Sequence, residues 1–586
     1  KREGRLRSCC GAQGGPMPLG QALMHAARRA ANDDPRFPPI SPTELAHLEI
    51  EVSLLDLARP VPAQGAAKRD EVVVGKHGLQ IARGDARGLL LPVVAVEHQF
   101  DAEAFLQHVC LKAGLPPTAW KDDDVALSTF EGRAIGGRLA EIVDLPESDD
   151  QALPIAAADI AGLADFALAN LRAIFAGATP SFYALGMFDG NVSGLAVVLR
   201  DARGGVWLQA SKTSLRQGMP LQATLFQVVE ELAKSLAAGR VGPDRLDGSR
   251  IELAALYDPA MHGTLAAPDL RGFAAPRRAL LVLEGAKSSL AFAPDLTPDE
   301  LLARAGEHVS FAEPEAAAVF SLAAVSNAAE IFVSHAPRPQ AGAAVRPAAV
   351  AGKFYPADPV ALESLVSELL SGPSCEAKPW RAAMAPHAGL SYSGRIAAET
   401  LRRIAIPETI IVLGPKHTPH GVEWAVSPSR AWSIPGATIA ADPDLAERLV
   451  AAIPGLQFDA AAHGQEHAIE VELPFLARLA PQTRVVGIAL GGGSLARCRQ
   501  FAAGLAQCLR AEREQPLLLI SSDMNHFAND EENRRLDEIA LAALETLRQL
   551  GQLHRAERVA YGTSADVTGD RRRVVGYAGM LFGESI

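Results

Sequence analysis

Three short apolar runs in the last part of the chain end in residues that bind metals or move protons. Ala382–Ala385 leads into Pro386-His387-Ala388-Gly389, and Thr409–Leu413 into Gly414-Pro415-Lys416-His417-Thr418. Leu517–Ile520 leads into Ser521-Ser522-Asp523-Met524-Asn525-His526-Phe527. Two neutral imidazoles and a carboxylate can hold one divalent metal and leave positions open for substrate or dioxygen. A further imidazole can exchange a proton near neutral pH. His387 and His417 are therefore the candidate metal ligands, and Asp523 and His526 are candidates for ligand or acid–base roles. A fourth element, His463-Gly464-Gln465-Glu466-His467, places two histidines four apart, on one face if the segment is helical. Its H-x-x-E-H order also occurs in inverted zincins. That reading leaves the strand-end histidines unexplained, and Pro474 soon interrupts the pattern. The expectation is that one of the pair faces the strand-end site.

These residues need a scaffold that gathers strand ends. The runs at 382–385, 409–413, 485–490, 517–520 and 574–579 alternate with helical patterns such as 359–370 and 445–452. Short apolar runs bounded by turn residues and separated by helices predict an α/β domain with a buried, largely parallel sheet. In such sheets ligands sit beyond the carboxyl ends of the strands. The glycines at 491–493 lack a lysine at P-loop spacing and read as a loop.

Two composition shifts divide the rest. An acidic, proline-containing stretch at 144–154 and an Ala/Pro/Gly-rich stretch at 336–347 separate segments 1–140, 155–335 and 345–586. The first two segments read as copies of one unit. Met17-Pro18-Leu19 and Met219-Pro220-Leu221 each precede a helical run, and nearly equal spacings lead to Ile50-Glu51-Val52 and Ile251-Glu252-Leu253. A glycine-plus-strand element precedes each, at Gly4-Arg5-Leu6 and Gly205-Val206-Trp207. The chain starts at Lys1 as if inside a domain, so the first copy is expected to be truncated. Its missing part would resemble the helix at 160–175 and the strand at 194–200.

The 586 residues are 48% hydrophobic and carry a net charge of −12, which argues for several buried cores and against broad nucleic-acid binding. No membrane-length apolar stretch or secretory signal is visible. Six cysteines without a C-x-x-C pair fit reduced thiols and a cytoplasmic location.

The segment from about Val345 to Phe582 resembles the Memo-like family, relatives of class III extradiol ring-cleaving dioxygenases. The resemblance rests on the stretches 349–358 (AVAGKFYPAD), 385–394 (APHAGLSYSG), 413–418 (LGPKHT), 466–476 (EHAIEVELPFL), 521–527 (SSDMNHF) and 563–570 (TSADVTGD). Segment 1–140 resembles the AMMECR domain through 6–11 (LRSCCG), 34–39 (DPRFPP), 75–79 (GKHGL), 88–92 (GLLLP) and 113–120 (AGLPPTAW). Segment 155–335 would be a diverged second copy, without counterparts of Cys9 or His77. The resemblance thus implies an α/β and α+β multidomain protein, with two AMMECR-like α+β units and a C-terminal Memo-like α/β domain. It also implies a fused component of the AmmeMemoRadiSam system, with a radical SAM protein as partner. The metal site of that family resembles His, His and Cys, but residues 527–562 contain no cysteine, and Cys498 and Cys508 precede the interval. A His/His/carboxylate site could still hold Fe(II), the favoured ion, or Zn.

Cys9 and Cys10, behind an expected strand and beside Arg5 and Arg7, read as buried structural thiols or as activated ones. Lys76 and His77 fit either a hairpin turn or a surface anion site, and Trp120 fits a packed anchor. Two functions follow. In the first, a metal-dependent redox enzyme acts on an unknown small molecule: His387 and His417 bind metal, Asp523 and His526 complete or polarise the site, and His467 supports it or transfers protons. In the second, the same cleft and the AMMECR-like surfaces form a non-catalytic scaffold.

Overall fold

The computed structural model describes residues 1–11, 17–84, 86–145, 153–239, 246–307, 309–549 and 555–583. Most of the acidic stretch at 144–154 lies outside the described residues. The chain forms two compact units, Lys1–Val52 with Ala134–Ala336, and Ser53–Arg133 with Pro337–Ile586. Segment 1–140 thus contributes to both.

The first unit is built on an antiparallel sheet. Its strands run in the order Ile331–His335, Lys287–Phe292, Arg278–Glu284, Ala318–Ser326, Arg250–Thr264, Gly194–Arg200 and Val206–Thr213. The two faces are filled by alternate residues. Leu195, Val197 and Leu199 pack with the helices Ala157–Phe175 and Leu221–Ala238, whereas Ala196 and Val198 join Ala254, Leu256 and Leu281 on the other side. Burial on both faces explains why the strand at 194–200 reads as a continuous apolar run. No strand forms at 4–6, contrary to the sequence expectation. Arg2 and Arg5 share only an isolated bridge, and Arg7 is committed to buried Glu44 through Nε at 2.6 Å and Nη2 at 2.8 Å.

Within the second unit, residues 53–133 form a four-stranded antiparallel sheet ordered Arg59–Pro60, Ala126–Phe130, Gly78–Arg83, Ala86–Leu90. Helix Ala102–Lys112 packs Phe105, Leu106 and Val109 against Leu79, Ile81 and Leu127. This strand order matches that of 250–264, 318–326, 278–284 and 287–292, and in both sets a helix precedes the last strand in sequence.

The remainder of this unit carries the strand-end histidines. Its sheet is built from β1 (Ala382–Ala385), β2 (Thr409–Pro415), β3 (Trp424–Val426), β4 (Gln457–Phe458), β5 (Arg484–Leu490), β6 (Leu517–Ser521), β7 (His526–Ala528), β8 (Arg555–Thr563) and β9 (Val574–Gly583). The order is β4-β3-β5-β2-β6-β1-β9-β7, with β8 on β9. Strands β5, β2, β6 and β1 are parallel. β3 pairs antiparallel with β5, and β9 is antiparallel to β1, β7 and β8. The sheet is therefore mixed: its four central strands are parallel, and edge strand β4 also pairs parallel with β3. At the centre the ends of β1, β2 and β6 meet at one rim, because parallel neighbours in register stop at the same level. Helices α1 (Pro359–Leu370) and α2 (Leu390–Leu401) cover one face, packing Leu362, Val366, Ala397 and Leu401 on Ala383, Ile410 and Leu519. Helices α3 (Pro443–Ala452) and α4 (Leu495–Ala511) cover the other over Ile411, Val486 and Ile488.

Candidate metal site

His387 follows β1 by two residues and is almost fully buried. Its backbone N–H donates to Asp523 Oδ1 at 2.8 Å, and its Nδ1 lies 3.0 Å from Ser521 Oγ at the end of β6. His417 follows β2 and directs Nδ1 at Glu466 Oε1, 2.8 Å away. Glu466 begins the turn that carries His467. Its carboxylate also accepts the backbone N–H groups of His417, His467 and Ala468. Gly414 on β2 lets that turn approach, since a Cβ there would stand 2.8 Å from Ala468 Cβ. The result is three imidazoles in mutual contact. Ring centroids are 5.2 Å apart for His387–His417, 5.5 Å for His387–His467 and 4.3 Å for His417–His467, with Phe354 4.4 Å from His467. One ligating nitrogen from each lies within 4.8 Å of the others.

The electrostatics favour neutral nitrogen donors at two of the three rings. Burial, reinforced by His417, pushes His387 down to about 4, and the same two causes push His467 down to about 4. His417 is raised by its hydrogen bond to Glu466. Burial favours the neutral form of Glu466, but the His417 imidazole and the backbone N–H groups outweigh it and hold the carboxyl at about 2. With Nδ1 of His417 occupied by a carboxylate, its Nε2 is left for a ligand, the arrangement usual for metal-bound histidine. Three imidazoles within reach of one point fit a divalent ion such as Zn or Fe(II).

Asp523 is held beside the cluster by the backbone N–H of His387. Burial raises its carboxyl, against the N–H groups of His387 and Ala388. His526 sits exposed on β7, outside the three-imidazole group. Of the His463/His467 pair, only His467 faces the site. His463 is buried with Nε2 3.1 Å from the Ala425 carbonyl.

The sequence reading missed Glu466, Ser521 and Glu472, which are all but fully buried. Acids at 466, 470 and 472 within an otherwise apolar stretch were the available signal. Cys498 is exposed and Cys508 buried, each on α4. Elsewhere, Trp120 packs in a core, Lys76 Nζ lies 3.2 Å from Glu131, and the His77 Nδ1 accepts from Val73 N–H at 3.2 Å. Cys9 is exposed, with its N–H bound to Asp34.

Fold and cluster together define an α/β protein that presents imidazoles at the carboxyl rim of its sheet. A family model described as Memo-like protein matches residues 346–552, and one described as AMMECR1 matches residues 1–135. A MEMO1 family protein of Aquifex aeolicus is 35% identical over 269 residues, covering 41% of this chain and 99% of the relative. One of Archaeoglobus fulgidus is 34% identical over 260 residues, 40% of this chain and 97% of the relative. At the other end, a protein of Methanothermobacter thermautotrophicus is 43% identical over 134 residues, 23% of this chain and 70% of the relative. The chain belongs to the MEMO1 family and joins a Memo region to an AMMECR1 region. No helix among the described residues is long and apolar enough to cross a membrane.

Proposed function

We propose that the Memo region binds one divalent metal, Fe(II) ahead of Zn, through His387, His417 and His467, and performs metal-dependent redox chemistry on a small molecule. The convergence of three imidazoles, two of them kept neutral by burial, carries this reading. A bound ion would supply Lewis acidity and, if iron, electron-transfer chemistry. The chain's own residues do the rest. Ser521 and Glu466 fix the rings of His387 and His417, and Asp523 takes or returns a proton at its carboxylate. His526 exchanges protons with solvent at the exposed rim. His467, assigned a supporting or proton-transfer role from sequence, here ranks with the two expected ligands.

We further propose that residues 155–335 are a second AMMECR-like copy, supported by the shared strand order of the two sheets. A cytoplasmic setting and a radical SAM partner complete the reading, because Memo and AMMECR1 regions in one chain are what resemblance to the AmmeMemoRadiSam system implies. A scaffold role is the second reading, favoured by the lack of any cysteine in 527–562. Anaerobic metal analysis decides between them. Stoichiometric iron that disappears in the double variant His387→Ala/His417→Ala supports the enzyme. A metal-free chain that still binds the radical SAM protein supports the scaffold.

A further inference from the structure

Ser521 Oγ, fully buried at the end of β6, touches three groups: the Ala468 carbonyl at 2.6 Å, His387 Nδ1 at 3.0 Å and Glu472 Oε1 at 3.1 Å. A hydroxyl has one proton to give and can accept twice. The Ala468 carbonyl can only accept and is the nearest of the three, so the hydroxyl proton goes there. The other two contacts are then satisfied only if each neighbour donates. Glu472 must carry a proton on Oε1, and His387 must carry its proton on Nδ1.

The surroundings of Glu472 agree. It is fully buried, no ion pair reaches it among the described residues, and its Oε2 has no hydrogen-bond partner there. An ionised carboxylate left in this way would bear a large desolvation cost. Burial pushes the group up to about 8, and nearby Asp523 adds like-charge repulsion. The reverse arrangement, with the hydroxyl donating to an ionised Glu472, would set two oxygen lone pairs against each other at Ala468.

We infer that Glu472 is a positioning residue that acts as a neutral carboxylic acid through Ser521 to hold His387 in its Nδ1–H tautomer, leaving Nε2 as the free donor nitrogen. The consequence for metal binding rests on the metal-site reading above. The tautomer does not, because it belongs to the metal-free chain.

The test uses the full chain, metal-free and labelled with 15N-histidine, with His387 assigned by its loss in His387→Ala. The Nδ1–H tautomer is expected for the wild type and for Glu472→Gln, whose amide still donates to Ser521. Glu472→Leu should give a mixed or Nε2–H population. Zinc affinity should drop about ten- to a hundred-fold in Glu472→Leu and stay within a few-fold in Glu472→Gln. An Nε2–H tautomer in the wild type, or an unchanged tautomer in Glu472→Leu, overturns the inference. Should Glu472→Leu not fold, infrared difference spectra of wild type against Glu472→Gln decide it. A protonated carboxyl band lost in the variant supports the inference, and its absence from the wild type overturns it. A wild type that shows the Nδ1–H tautomer but binds no zinc would sink the metal-site reading alone.

Discussion

One oxygen of Glu466 accepts both the His417 imidazole N–H and the backbone N–H of His467, each at 2.8 Å. A single buried carboxylate therefore sets the position of two of the three imidazoles. Glutamine at 466 has one carbonyl oxygen for four N–H groups and would turn its own amide hydrogens on at least one of them. Glu466→Gln is expected to destabilise the fold by about 1–3 kcal/mol at neutral pH, measured by urea unfolding. The folded carboxyl lies near 2 against an ordinary 4.5, so the stabilisation is present above about 4.5 and fades as pH falls toward 2. The wild-type advantage over the variant should shrink over that window.

Glu472 carries the opposite sign. Its folded value is raised from 4.5 to about 8, so its favourable contribution is complete below 4.5 and is lost as pH climbs through 8. Glu472→Gln cannot ionise. Unfolding midpoints compared at about pH 5 and about pH 8 should show the variant gaining on the wild type at the higher pH. An equal change in both proteins would contradict a neutral acid at this position.

Gly414 is a steric gate for the site. A methyl group there meets Ala468 Cβ at 2.8 Å, and the strain falls on the turn carrying His467. Gly414→Ala should cost about 1–3 kcal/mol and weaken zinc binding measured by competition titration. Gly306, in helix Pro298–Glu307, is the control, because a methyl group added there meets nothing within 4 Å. Gly306→Ala should leave zinc affinity unchanged.

Arg346 anchors the same turn from below. Its guanidinium pairs with buried Glu470 and donates to the carbonyls of His463 and Glu466. Arg346→Met removes the cation from buried Glu470, a loss of about 3–5 kcal/mol in chemical unfolding. A change under about 1 kcal/mol would show that the pair contributes little, as exposed pairs do.

The strand ends were legible because parallel central strands are short apolar runs whose termini must turn sharply. β1 spans the residues expected of it, and His387, His417 and Asp523 stand just beyond β1, β2 and β6. His526 was misplaced beside them because β7 carries it back out along the edge of β9 after the turn. The antiparallel flanks were hidden for a related reason. β9 is buried along most of its length and so has the same unbroken apolar pattern as a parallel strand. Pairing direction leaves no mark in such a run. Glu466 and Glu472 were hard to assign from sequence because the hydrogen-bond partners that make them tolerable, His417 and Ser521, lie about fifty residues away in each case.

The peptide passes from one compact body to the other after residues 52, 133 and 336. No single scissile bond divides the molecule, and a fragment cut to the AMMECR1 match alone would be an orphan at both ends. Residues 1–135 would leave Arg2 without Asp269 and Ser41 without Asp258, exposing polar groups that the intact chain hides. Dissection by limited proteolysis should accordingly yield nicked protein that holds together until denatured.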